Sequence, residues 1–115
     1  MATIKSFTDI EQSKKLAKIL PLDSADMYYG YGKNKPEFLP ISDIDVKCLS
    51  LHCWSLAALL EVLPEYNLQK TDWGNKTECK IVVTIKEENY ASKNYNNPVD
   101  ACVDIVEKLN KLKLL

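Results

Sequence analysis

The chain contains no arginine: all 15 of its basic residues are lysine. Lysine cannot supply the planar, bidentate fork with which arginine recognises guanine edges, phosphates and carboxylates. The 16 acidic residues leave a net charge of −1, so the chain also lacks an overall basic field that would attract a polyanion. These two absences count against nucleic-acid binding.

Long hydrophobic runs are also missing. The longest, Leu56–Leu60, has five residues, whereas a membrane-spanning helix needs about 18. The first residues lack the hydrophobic core of a signal peptide, so we expect a cytoplasmic protein without a membrane partner. In that setting we expect the four cysteines to be buried small hydrophobic residues rather than disulfides; they are Cys48, Cys53, Cys79 and Cys102.

The 115 residues suffice for a single domain, and the clearest local pattern is near the end. Asn97 is a typical N-cap, and Pro98 suits the first helical position, where its missing N–H costs nothing. An apolar stripe at helical spacing follows, formed by Val99, Cys102, Val103, Val106 and Leu109. The pattern predicts an amphipathic helix over residues 98–112.

Two further helices are predicted. Thr8 opens a capping-box pattern, which predicts a helix over 8–20. Residues 53–63 are helix-forming and apolar almost all round, which is typical of a helix buried on most of its circumference. Either Ser50 or Ser55 could cap this central helix.

Two hairpins are predicted. The first pairs a tyrosine-rich strand at 26–31 with a return strand at 37–41. The second pairs 68–73 with 79–86, and its second strand alternates apolar and polar residues, the pattern of a strand with one face in water. The order α-β-β-α-β-β-α predicts an α+β fold: a two-layer sandwich with one antiparallel sheet of about four strands.

The best candidate for chemistry is the segment 48–54, which holds the only histidine and two of the four cysteines. A helix N-terminus can lower the pKa of a thiol, so Cys53 with His52 as base is a candidate catalytic pair. Adjacent helical residues point about 100° apart, however, which favours core packing. Cys48, His52 and Cys53 are candidate zinc ligands, but their spacing is not that of paired zinc knuckles. No cofactor is expected.

Aromatic residues provide a candidate interaction surface, made of Tyr28, Tyr31 and Trp73. Aromatic side chains on a sheet can form a stacking platform for bases or sugars. Successive residues of a strand point to opposite faces, so at most half of the tyrosine-rich hairpin is exposed on one face. Core packing is the competing interpretation.

Three segments together carry a resemblance to known proteins: 53–60, which includes Trp54-Ser55, then Trp73, then Asn97–Cys102. In this order they resemble small uncharacterised proteins encoded by gut bacteria and their phages or prophages, and they are similar to the phage α-β-α sandwich domain. The resemblance covers 53–109 and implies no catalytic residue. The terminal hairpin and helix are also similar to antitoxins of the partly RNase H-like type.

We therefore expect a non-enzymatic accessory or protein-interaction module of the phage or prophage type. Its partner would be a second copy, joined through a sheet edge, or a host or phage protein. Two alternatives remain open. One is a small thiol- or metal-dependent enzyme centred on Cys53 and His52, and the other is a weak nucleic-acid-binding or antitoxin-like regulator that uses the lysines of the hairpins.

Overall fold

A computed structural model describes residues 5–30, 35–38 and 51–115. The fold of these residues is α+β, as predicted. None of the described helices is long and apolar enough to cross a membrane. In chain order the elements are α1 (Ile10–Leu16), a short 3₁₀-helix (Leu22–Ser24), β1 (Met27–Tyr29), β2 (Pro36–Phe38), β3 (Leu51–Cys53), α2 (Leu56–Val62), β4 (Tyr66–Trp73), β5 (Lys76–Ile85), β6 (Glu88–Ala91) and α3 (Pro98–Lys111).

The described strands form two antiparallel sheets of three strands each, in the orders β2-β1-β3 and β4-β5-β6. The prediction of one sheet of about four strands was wrong, and so was the element order. Both predicted hairpins are present in the described residues, although residues 31 and 39–41 of the first lie outside them. Each hairpin gains a third strand: β3 pairs with β1, and β6 pairs with β5. Each hairpin thus completes its own sheet instead of joining the other.

The central helix begins at Leu56, not at Cys53 as predicted. Cys53 lies in β3 directly opposite Met27 of β1, and this pairing keeps residues 51–53 extended. Of the two candidate caps, Ser55 is the N-cap: its hydroxyl accepts the backbone N–H of Ala58 at 3.2 Å. Ser50 lies outside the described residues.

The first helix is shorter than predicted and begins two residues later, at Ile10. Its capping box is formed by Asp9 and Gln12: the Asp9 carboxylate accepts the N–H of Gln12 at 2.7 Å, and the Gln12 amide oxygen accepts the N–H of Asp9 at 3.1 Å. Thr8 cannot act as the cap, because it is fully buried and its hydroxyl accepts the backbone N–H of Trp54. The regular helix ends at Leu16.

The last helix confirms its prediction, with bounds one residue shorter. The side chain of Asn97 accepts the N–H of Asp100 at 2.8 Å, and Pro98 occupies the first position. The apolar stripe of this helix is buried against β5, whose Ile81 and Val83 are fully buried as the alternation predicted.

The helices do not share one sheet. Helix α3 lies on β5 of the second sheet, whereas α1 packs on β3 of the first sheet and also contacts α3. Helix α2 packs against α3. The largest fully buried side chain is that of Trp54, which links β3 to α2 and joins Leu16 and Leu59 in the main core. Because α3 covers β5 in the middle of its sheet, β4 lies at a margin of the core.

Candidate interaction site

Cys53 and His52, the candidate catalytic pair, are neighbours on β3 and therefore point to opposite faces of its sheet. The Cys53 side chain is fully buried, and its thiol donates to the Thr8 carbonyl at 3.3 Å. Burial raises the pKa of this thiol, outweighing the hydrogen bonds that would lower it. His52 is buried on the other face, opposite Tyr28. The structure does not bring the two side chains together.

Of the three candidate zinc ligands, the structure describes His52 and Cys53. Cys48 lies outside the described residues. Within the described ranges, no three His, Cys, Asp or Glu side chains are placed to hold a metal ion. Cys79 and Cys102 are also buried free thiols. Burial raises the pKa of both, and it brings the pKa of Cys102 to about 12.

The predicted aromatic surface is described only in part. Tyr28 is half-buried in β1, and its hydroxyl donates to the Glu37 carboxylate at 3.1 Å. Tyr31 lies outside the described residues. Trp73 is the last residue of β4, in the other sheet. The structure therefore describes only parts of this surface, on two separate sheets.

The most exposed long element is β4, which no sequence pattern singled out. It has eight residues and lies at an edge of its sheet: among the described strands it pairs only with β5. Every residue from Tyr66 to Asp72 is exposed. Two of them are large and apolar, Tyr66, which is 43% exposed, and Leu68, which is 38% exposed.

The hydrogen bonds to β5 determine which backbone groups of β4 face outwards. The N–H of Thr84 donates to the carbonyl of Glu65 at 2.9 Å, just before β4 begins. In an antiparallel pair, bonded and non-bonded positions alternate along the strand. The backbone N–H and C=O groups that point to the open edge are therefore those of Tyr66, Leu68, Lys70 and Asp72.

The side chains of the same residues lie on the core side of the sheet. Tyr66 is directly opposite Val83, Leu68 opposite Ile81 and Lys70 opposite Cys79, and all three of these partners are buried. Directly opposite residues share a face. The charges of Lys70 and Asp72 both act on the Cys79 thiol, as this placement requires. We call the open backbone edge and core-side side chains of residues 66–72 the β4 edge surface.

An open groove of about 460 Å³ continues this surface towards α2. Its lining is mainly apolar, with one carboxylate, Glu61. The lining residues are Ala57, Leu60, Glu61, Leu63 and Tyr66. Tyr66 therefore belongs both to the groove and to the edge, so a chain that paired with β4 would lie beside α2.

A second concavity, of about 350 Å³, lies between α1 and α3 and is polar. Its central carboxylate, Asp100, accepts hydrogen bonds from Lys5 at 2.8 Å, Gln12 at 2.7 Å and Asn97 at 2.9 Å. Burial alone would raise the pKa of Asp100, but these hydrogen bonds outweigh it and hold the pKa below its usual value of 3.8. Side chains of the chain itself thus supply the hydrogen-bond donors for this carboxylate. The residues of the second concavity therefore have a structural role, holding α1 against α3.

Comparisons with protein-family models, curated proteins and solved structures found no match for this chain. The register of β4 with β5, although not the exposure of β4, could have been anticipated from one local pattern. Tyr66 and Leu68 are two residues apart on a strand that ends in a two-residue turn at Gly74-Asn75, and this turn fixes the register with β5. What the pattern does not contain is the position of α3, which leaves these side chains uncovered.

Proposed function

We propose that the chain is a non-enzymatic protein-interaction module that binds an extended segment of a protein along the β4 edge surface. The observation that carries the proposal is the exposure of β4 on both faces and along its outer backbone edge, over residues 66–72. An uncovered edge strand offers a row of N–H and C=O groups to which another strand can add. A phage or prophage accessory role stays a prediction that is compatible with such a module.

The other sheet edges among the described strands offer less. Strand β6 has four residues, and β2 and β3 have three each, against eight for β4. Only β4 combines its edge with the apolar groove beside α2. Longer strands make more backbone hydrogen bonds, and alternating pockets for side chains supply specificity.

The two faces of β4 define the partner segment. On the core side the added strand would lie against Tyr66, Leu68 and the groove, so its side chains on this face should be mainly apolar. On the outer side it would meet Asn67, Gln69 and Thr71, so polar side chains should alternate with the apolar ones. We therefore expect an extended segment with a period of two.

The proposal is tested by blocking the backbone edge. The N–H of Lys70 points to the open edge, so Lys70→Pro removes a donor that a partner needs and none that bonds to β5. The matched control is Asn89→Pro, because the N–H of Asn89 points to the outer edge of β6 in the same sheet. Circular dichroism checks that both variants fold, and Leu68→Asp provides a second blocking variant without proline.

The probe is a displayed library of random peptides, selected on the wild-type chain. We expect the selected peptides to bind Lys70→Pro at least about fivefold more weakly, because a backbone hydrogen bond contributes about 1 kcal/mol. Leu68→Asp should weaken binding at least as much, because the apolar contact is lost. Binding to Asn89→Pro should not change. Equal binding to all variants, or no enrichment on the wild-type chain, would contradict the proposal.

A further inference from the structure

We infer that the strand which adds to β4 is β4 of a second copy, paired antiparallel about a two-fold axis at Leu68. The inference rests on the proposed function and names its partner. Two charged groups support the choice of a second copy as the partner. Lys70 and Glu61 both border the β4 edge surface, and the ion pairs among the described residues include neither of them. A second copy would bring its own Lys70 to the groove that contains Glu61, so the two copies are complementary in charge.

The two-fold register follows from the charges along β4 and from the length of strand that can pair, since an axis at Asn67 would pair only residues 66–68. An axis at Lys70 would place two ammonium groups directly opposite each other, which destabilises a strand pair. An axis at Gln69 would place Leu68 opposite Lys70 and Tyr66 opposite Asp72, so that apolar side chains face charges on both sides. An axis at Thr71 would place Leu68 opposite Gly74 of the turn and leave Tyr66 unpaired.

The axis at Leu68 places no like charges opposite each other and no carboxylate opposite an aromatic ring. The two Leu68 side chains then face each other at the centre. On either side Lys70 lies opposite Tyr66 of the second copy, so its methylene stem covers the aromatic ring and its ammonium lies over the ring face. Tyr66 borders the groove that contains Glu61, which brings the carboxylate within reach of the same ammonium.

The outer face of the paired strands is compatible with the same register. Asn67 lies opposite Gln69 of the second copy, and the symmetry repeats this pair. Side-chain amides carry both donors and acceptors, so the two can hydrogen-bond to each other. The two sheets would merge into one continuous sheet of six strands across the described residues. Because the contact is a single strand pair with few apolar side chains, we expect a dimer with micromolar affinity.

The register is tested in a Cys79→Ala background, because Lys70 lies directly opposite Cys79 and a thiol at position 70 would otherwise form a disulfide within the chain. Three cysteine variants are compared under one mild oxidant: Leu68→Cys, Gln69→Cys and Lys70→Cys. With the axis at Leu68, only Leu68→Cys places the new thiol opposite itself, with Cα atoms about 5.5 Å apart, within the range of a disulfide. We expect a covalent dimer from this variant and little from the other two or from the wild-type chain. Faster cross-linking of Gln69→Cys or Lys70→Cys would overturn the register.

The charge pairing is tested by sedimentation equilibrium. Lys70→Glu and Glu61→Lys should each weaken the wild-type dimer at least about tenfold. The double variant Lys70→Glu/Glu61→Lys should restore most of the affinity. Lys80→Glu, on the outer face of β5, is the matched control and should leave the affinity of the dimer unchanged. Single and double variants of equal affinity would overturn the pairing of Lys70 with Glu61.

The interaction module and the self-pairing of β4 are contradicted by different results. If the wild-type chain stays monomeric at high concentration while selected peptides still bind and lose affinity on Lys70→Pro, self-pairing is wrong and the interaction module stands. If neither dimer nor peptide binding is found, both are wrong.

Discussion

Lys5 and Asp100 are 95 residues apart in the sequence, yet the Nζ of Lys5 lies 2.8 Å from the Oδ1 of Asp100. Asp100 is in the first turn of α3, where a carboxylate is also favoured by the helix dipole. Lys5 makes a second ion pair, 3.1 Å long, with the N-cap residue Asp9 of α1. Through these contacts the beginning of the described chain is joined to the N-terminal ends of two helices.

Replacing Asp100 by asparagine should reduce stability in a pH-dependent way. The pKa of Asp100 is lowered from 3.8, so its contribution is fully present above pH 3.8 and is lost as the pH falls through the lower folded-state value. At neutral pH we expect Asp100→Asn to reduce the free energy of unfolding by about 1–2 kcal/mol, because the new amide faces the Asn97 amide donor. Urea unfolding across the acid range measures the difference.

The control for this variant is Asp72→Asn, at an exposed carboxylate that accepts only the Thr77 hydroxyl, at 2.8 Å, among the described residues. This variant should change the free energy of unfolding by less than about 0.5 kcal/mol at both neutral and acidic pH. The gap between Asp100→Asn and the wild-type chain should shrink well below pH 3.8. A gap that is constant from neutral to strongly acidic pH would contradict the role of the charged carboxylate.

Thr8→Val should be strongly destabilising although the shape is conserved. The hydroxyl of Thr8 is fully buried, accepts the backbone N–H of Trp54 at 3.1 Å and lies 2.8 Å from the Ser13 hydroxyl. Valine would leave these groups without a partner, at a cost of about 2 kcal/mol. Thr8→Ser, which keeps the hydroxyl, should lose less. Thr77→Val, at a half-buried strand position, is the matched control. If urea unfolding gives Thr77→Val and Thr8→Val the same loss of stability, this account is wrong.

Local signals predicted α3 and the second hairpin because the necessary information lies within a few residues. The Asn97-Pro98 pair caps and starts the helix without help from the rest of the chain. The alternation around Ile81 and Val83 identifies a half-buried strand in the same way. Where one neighbourhood carries the whole pattern, sequence and structure agree.

The errors arose where distant partners decide the outcome. Residues 51–53 resemble the start of a helix, but β1 offers them a strand to pair with, and pairing prevails. Two capping patterns overlap at Thr8 and Asp9, and the burial of Thr8 against Trp54 selects the second. Strand β6 is polar, and its sequence alone does not predict a strand. It is extended because it pairs with β5. The β4 edge surface depends on where α3 lies, which no local pattern encodes.

The three described cysteines should be inert in the folded chain. Each thiol is buried, and burial raises the pKa of Cys53, Cys79 and Cys102, so little reactive thiolate exists at neutral pH. Alkylation followed by peptide mapping should label them at least about 100-fold more slowly in buffer than in urea. The exposed thiol of Gln69→Cys is the positive control. Rapid labelling of Cys53 in the folded chain would instead favour the thiol-enzyme alternative.

A single substitution in the turn between β5 and β6 should increase the stability of the fold. Its two residues, Lys86 and Glu87, have φ angles of +50° and +67°, a left-handed conformation that costs an L-residue about 1–2 kcal/mol. Glycine adopts it freely, and Asn-Gly or Asp-Gly pairs dominate such two-residue turns. Glu87→Gly should therefore raise the free energy of unfolding by about 1 kcal/mol, measured by urea unfolding.

The matched control is Asn75→Gly in the turn between β4 and β5. There the positive φ, +66°, belongs to Gly74, and Asn75 does not have one. Glycine at position 75 relieves no strain and increases the entropy of the unfolded chain, so it should lower stability by about 0.5 kcal/mol. Opposite signs for the two variants would show that the backbone conformation, and not the loss of a side chain, governs the effect. Destabilisation by Glu87→Gly would mean that this residue makes contacts worth more than the strain it bears.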